Sequence, residues 1–216
     1  MIKVAYQISM NYRFITIEGN IGAGKTTLAH MLAEHYRAKL ILEEFADNPF
    51  LPKFYEKPQQ YAFPLELFFM AERYKQLKDM LQTQDLFSEV VISDYLFVKS
   101  LLFAKINLSE DEYNLYQKLF EIINPQLVQP DLLIFLNAPV PQLQKNIKKR
   151  NRSYEQQIED AYLQRVHNMY IQYLKQHSVR TLMIDTTKID FLGAPAHFRQ
   201  ILQALETDYA PGIHWL

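Results

Sequence analysis

The octapeptide Gly19-Asn20-Ile21-Gly22-Ala23-Gly24-Lys25-Thr26 has glycine at its first and sixth places, then Lys, then Thr, which is the spacing of a phosphate-binding loop. Glycines let the backbone turn until successive N–H groups converge on phosphate oxygens. Lys25 is spaced to reach the outer phosphates of a nucleoside triphosphate such as ATP. The Thr26 hydroxyl is spaced to enter the shell of a Mg²⁺ ion that keeps several waters. Thr27 follows at the start of the next helix, where unpaired N–H groups and the helix dipole attract anions. Glycine is scarce in this chain, 5 in 216 residues, yet three fall inside this loop.

Other residues could act on whatever the loop holds. Glu43 and Glu44 are adjacent carboxylates just past an apolar run. One of them could take a proton from an acceptor hydroxyl; a pair of solvated loop acids is the alternative. An aromatic-rich stretch runs from Phe50 through Tyr55 to Phe63 and leads into a long helix carrying Glu66 and Arg73. These two lie seven apart, two turns along one face. There they could direct hydrogen bonds into an aromatic slot, or simply form a charged helix edge. Arg150 and Arg152 end a basic helix, where an arginine lid could close over a triphosphate. The six His residues are scattered without metal-ligand spacing.

The elements that would position these groups alternate regularly. Candidate strands are Phe14–Ile17, Leu40–Leu42, Val90–Ser93, Leu132–Leu136 and Thr181–Ile184. Helices are predicted near Thr26–Arg37, Pro64–Gln84, Tyr95–Ala104, Glu110–Leu127, Val140–Lys149, Glu159–Gln176 and Ala194–Glu206. Strand–helix alternation predicts βαβ units and a five-stranded parallel sheet in a three-layer α/β fold of the phosphate-loop type. In such sheets ligands sit beyond the carboxyl ends of the strands, which singles out Gly19–Thr26, Glu43-Glu44, Asp94-Tyr95 and Asn137-Ala138.

Bulk properties narrow the partners. No linker or repeat divides residues 1–216, so a single domain is predicted, with residues 1–11 as a loosely held extension. The formal charge of −1 provides no global field for nucleic acid or an anionic membrane. No apolar run approaches bilayer length, and the N-terminus does not read as a secretory leader. The absence of Cys removes disulfides and thiol chemistry and fits a cytoplasmic setting.

Taken in order, Gly19–Thr26, Glu43 through Tyr61-Ala62-Phe63, and Arg150-x-Arg152-x-x-Glu155 resemble the deoxyribonucleoside kinase family, nearer its bacterial deoxyadenosine/deoxyguanosine kinase branch. The resemblance covers about Phe14 to Phe191. It implies transfer of the γ-phosphate of ATP, with Mg²⁺, to the 5′-hydroxyl of a deoxynucleoside, by an enzyme that pairs as a homodimer. It makes Glu43 the general base and puts Glu44 where the family has proline. Tyr55 and Glu155 would hold the sugar 3′-hydroxyl, with Phe63 in the slot. Lys25, Arg150 and Arg152 would neutralise phosphate charge, and Asp94 would complete the Mg²⁺ shell through water.

Two departures stand out. Glu66 replaces a glutamine that contacts the base. An ionised carboxylate only accepts hydrogen bonds, so purine or cytosine amino groups suit it better than thymine. Arg73 matches a base-side arginine, unless Glu66 holds it. After the third strand the chain reads Asp94-Tyr95-Leu96, so the family's arginine at the second place is absent. The rival readings are a nucleoside monophosphate kinase of the thymidylate kinase type and a non-catalytic nucleotide-binding switch.

Overall fold

A computed structural model describes residues 11–43, 48–82 and 90–216. Glu44 and the first ten residues fall outside the described residues. The expectations attached to them fall outside with them.

Among the described residues six strands form one sheet: β1 (Phe14–Gly19), β2 (Lys39–Ile41), β3 (Val91–Ser93), β4 (Leu132–Asn137), β5 (Arg180–Asp185) and β6 (Gly212–Trp215). Their order is β2-β3-β1-β4-β5-β6, and every neighbouring pair is parallel. The predicted five strands are all present, and the count is corrected to six. β6 lies at the edge against β5, with register Thr181 to Ile213 and Met183 to Trp215. An edge strand of four residues needs only one partner, so it carries no periodic apolar signal of its own.

The strands are apolar on both faces because helices cover both. Ile15, Ile17, Ile134, Leu136, Leu182 and Ile184 pack into one buried cluster with Leu28 and Leu32 of α1 (Lys25–Tyr36) and Leu143 and Ile147 of α6 (Val140–Arg150). The alternate residues Phe14, Leu133, Phe135 and Met183 face a second cluster. That cluster is completed by α3 (Pro58–Gln82), α4 (Lys99–Asn107), α5 (Glu110–Ile123) and α7 (Asp160–Gln176). The remaining helices are α2 (Leu51–Glu56) and α8 (Pro195–Ala204).

Three helix boundaries differ from expectation in ways that shape the site. α2 is an additional helix of one and a half turns that carries Phe54 and Tyr55. α3 begins at Pro58 rather than Pro64, because six further helical residues precede that proline inside the helix. Proline favours a first turn, which is why it reads as a start. α4 begins at Lys99 rather than Tyr95, so Asp94–Val98 is a buried irregular segment. Glu18 explains how that segment is held. Its Oε1 accepts from the Leu96 amide at 2.8 Å, and its Oε2 accepts from the Tyr170 hydroxyl at 2.8 Å. Burial raises the pKa of this carboxyl, and the charges of Lys99 and Lys25 oppose the shift. Among the described residues, no helix is long and apolar enough to cross a membrane.

Candidate active site

The phosphate loop follows β1 and ends at Gly24, whose φ of +98° is left-handed, immediately before α1. Gly22 has φ +80°, and a Cβ there would stand 2.9 Å from the Leu143 carbonyl oxygen. Glycine is therefore required twice over, by the turn and by the approach of α6. Asn20 secures the loop from inside. Its Oδ1 accepts from the Ile21 amide at 2.8 Å, and its Nδ2 donates to the Leu163 carbonyl at 2.7 Å. Lys25 Nζ folds back onto the carbonyls of Gly19 and Asn20 at 2.9 and 3.0 Å. Desolvation lowers its pKa to about 8, and the like charge of Lys99 pushes the same way.

Asp94, just past β3, ties the end of β2 to the phosphate-loop threonine. Its Oδ2 accepts from the Thr26 hydroxyl at 2.5 Å, and its Oδ1 from the Glu43 amide at 2.7 Å. One hydroxyl and one carboxylate are too few for a cage made wholly of protein. They suit a magnesium ion that takes its other oxygens from phosphates and water, so the donor set fits.

Glu43 is held on both oxygens. Arg73 donates Nε and Nη2 to Oε1 at 2.9 and 2.6 Å, and Lys99 Nζ donates to Oε2 at 2.6 Å. Burial by itself would raise the Glu43 pKa, but the charges of Lys99 and Arg73 outweigh it and hold the carboxyl far below the usual range. Arg73 is anchored behind by Nη1 donating to Ser100 Oγ at 2.7 Å. The expectation that Glu66 could hold Arg73 is therefore corrected: β2 delivers a carboxylate to the same point, and Glu66 turns to α4. Asn107 Nδ2 donates to Glu66 Oε1 at 2.7 Å, whereas Glu66 Oε2 is buried without a partner among the described residues. Burial raises the Glu66 pKa to about 7, against the bond from Asn107 and the charge of Arg73.

These groups line one open cleft. The expected Ile21, Gly22, Lys25, Thr26, Glu43 and Asp94 stand at its phosphate end. Tyr55, Glu66, Arg73, Arg150, Arg152 and Glu155 line the remainder. Phe63 does not: it packs on the second core cluster, and this expectation is corrected. On α3 the cleft is lined by Leu65, Glu66, Phe69 and Arg73. Phe54, Phe69 and Phe103 supply the aromatic walls instead.

The arginine segment turns at Asn151, φ +57°, so that Arg150 and Arg152 both reach Glu155. Arg150 Nη2 donates to Glu155 Oε2, and Arg152 Nη1 to Oε1 at 3.3 Å. Tyr55 stacks on Tyr154 of the same segment at 6.0 Å between ring centroids. Sequence reasoning missed Lys99, Asn107 and Tyr162, all lining the cleft. Only the irregular segment before α4 turns Lys99 inward, and no local pattern signals that segment.

Comparison with known proteins agrees with this geometry. The family described as deoxynucleoside kinase matches residues 15–209. The chain is 38% identical over 196 residues to a deoxyguanosine kinase of Bacillus subtilis (strain 168), covering 87% of this chain and 93% of that one. It is 31% identical over 201 residues to a deoxyadenosine kinase of Dictyostelium discoideum, covering 91% of this chain and 80% of that one. Among solved structures, the deoxyadenosine kinase from M. mycoides with bound dATP has the same fold, with TM-score 0.78 at 22% identity, over 90% of this chain and 100% of that one. A match that takes in the phosphate loop, Glu43, the aromatic slot and the arginine segment in one continuous span means that the chain belongs to the deoxynucleoside kinase family.

Proposed function

We propose that the cleft transfers the terminal phosphoryl group of ATP to the 5′-hydroxyl of a deoxynucleoside, with Glu43 as the proton acceptor. The observation that carries this reading is the placement of Glu43. Its backbone is tied through Asp94 to the phosphate loop, and its carboxylate faces Arg73 and the aromatic slot. A base at that boundary meets an acceptor hydroxyl on one side and the triphosphate on the other. Glu43 is ionised throughout the working pH range, and with a bonding position open to the substrate it orients the hydroxyl and takes its proton as the new O–P bond forms.

The loop amides and Lys25 would bind the phosphates, with Arg150 and Arg152 over them. Thr26 and Asp94 would hold Mg²⁺, which when bound neutralises charge on the phosphate oxygens. Tyr55 and Glu155 would bracket the sugar, and a ring packed on Tyr55 leaves little room for a 2′-hydroxyl. The unpartnered Glu66 Oε2 calls for a donor from the base. Guanine offers N1–H and an amino group side by side, and adenine and cytosine offer an amine, so these are favoured over thymine. Relatives named deoxyguanosine kinase and deoxyadenosine/deoxycytidine kinase support that range.

The same reading takes the chain as a single-domain homodimer working in the cytoplasm, where ATP is at hand. Leu115 and Ile122, two turns apart on α5 and 52% and 65% exposed, support a pairing face. The test is a coupled assay with ATP, Mg²⁺ and each of the four deoxynucleosides and their monophosphates. Turnover of deoxynucleosides is expected. Turnover of monophosphates alone would transfer the chain to the monophosphate kinases, and no acceptor-dependent turnover would favour a switch.

A further inference from the structure

We propose that Lys99 is the cation that steadies the 5′-oxygen and the phosphoryl group in transit, and that it leaves Glu43 to do so. This assignment rests on the phosphoryl-transfer reading above. The place directly after Asp94 offers no charge, because Tyr95 is buried and its hydroxyl donates to Gln76 Oε1 at 2.8 Å. The irregular segment that follows makes Lys99 the first residue of α4 and brings its ammonium to the phosphate end of the cleft.

The bonding of Glu43 gives the second argument. Oε1 accepts two bonds from Arg73 and Oε2 one from Lys99, so turning a whole oxygen to the substrate proton means that one cation moves aside. Arg73 is the poor candidate: two of its nitrogens hold Oε1 and a third is fixed by Ser100. Lys99 makes one bond to Oε2 through a flexible four-carbon stem that lies by the Phe103 ring, with Nζ 5.6 Å from the centroid. When the acceptor binds, its 5′-hydroxyl takes the place of Lys99 on Oε2. In the step itself the hydroxyl proton passes to Glu43, the 5′-oxygen–phosphorus bond forms, and the bond from phosphorus to the ADP oxygen breaks. Lys99 keeps its proton throughout and pairs with the phosphoryl oxygens. After transfer it faces the product's 5′-phosphate.

Binding of deoxyguanosine and of its 5′-monophosphate to Lys99→Met and Lys99→Arg, measured calorimetrically without ATP, tests this directly. Loss of one charge-assisted bond predicts monophosphate affinity weakened about tenfold or more in the Met variant, with nucleoside affinity retained. The Arg variant should recover most of the monophosphate affinity, and in turnover the Met variant should lose kcat with little change in nucleoside KM. Equal loss for both ligands, or unchanged monophosphate affinity with a lowered melting temperature, would reduce Lys99 to a brace for Glu43 and overturn the proposal. A wild-type enzyme that binds none of the four deoxynucleosides or their monophosphates would overturn the phosphoryl-transfer reading as well. Should the Met variant fail to fold, Lys99→Gln, which keeps a donor for Glu43, carries the same comparison.

Discussion

Replacing Glu66 by glutamine changes one buried atom and has consequences that can be worked out in advance. The side chain is 2% exposed, Oε1 is held by Asn107, and Oε2 has no partner among the described residues. Burial raises the pKa from 4.5 to about 7. Below pH 4.5 the carboxyl is neutral in both the folded and the unfolded chain, so its burial costs little. Between 4.5 and 7 the unfolded chain has released its proton and the folded chain still holds it, so stability falls as pH rises. Above 7 both are ionised and the empty enzyme bears the whole cost, about 3 kcal/mol, since each tenfold change in proton affinity is worth roughly 1.4 kcal/mol. Glu66→Gln does not titrate. Its melting temperature should therefore be near that of wild type at pH 5 and rise above it by pH 8, by roughly 6–12 °C for a chain of this size. A base that donates to Oε2 favours the ionised form, so deoxyguanosine affinity in wild type should increase from pH 6 to 8 with proton release. In the variant that dependence should vanish and the preference among the four deoxynucleosides should shift. Melting curves across pH, with calorimetry in two buffers, measure both effects. Parallel melting profiles for the two proteins from pH 5 to 8, or an unchanged substrate profile, would refute this account of Glu66.

Glu43→Gln should keep ATP binding and lower kcat by about 10²–10⁴, the range for loss of one general base. It also leaves Arg73 and Lys99 facing a neutral group, and should cost roughly 3–5 kcal/mol in denaturant unfolding; full activity in this variant would remove Glu43 from the role. Lys25 binds phosphate in its charged form and has a pKa of about 8 in the empty loop, so ATP affinity should fall as pH rises from 7 to 9.5. A flat titration over that interval would show that its charge is not what holds the phosphates. Gly22→Ala should abolish ATP binding, because φ is +80° and the new methyl would meet the Leu143 carbonyl at 2.9 Å; nucleotide affinity equal to wild type would contradict that cradle.

How far the sequence could be read depended on whether a feature is local. The phosphate loop was legible because its glycines, Lys25 and Thr26 act within one strand–turn–helix unit. The strand ends were legible because alternating apolar runs and helices imply a parallel sheet, and a parallel sheet implies ligands at its carboxyl edge. That rule selected Glu43 and Asp94 before any contact was known. The early start of α3 was hidden by Pro64, whose ring favours a first turn. β6 was hidden by its length and its edge position.

The pairing of charges was of another kind. Glu66 and Arg73 share a helix face, and spacing alone invites a bond between them; the fold gives Arg73 to Glu43 and Glu66 to Asn107. Phe63 belongs to the same aromatic run as Tyr55, yet it packs against the second core cluster. Lys99 looked like one more residue of a helix, and became part of the site because a buried segment pinned by Glu18 delays that helix until its first residue faces β2. The sequence by itself determined the triphosphate-gripping loop, the sheet and the acid at the edge, because each follows from the conformational preferences of neighbouring residues. Only the tertiary structure decided which cation neutralises which carboxylate, since partners more than twenty residues apart meet only where the packed sheet and helices bring their side chains within bonding distance.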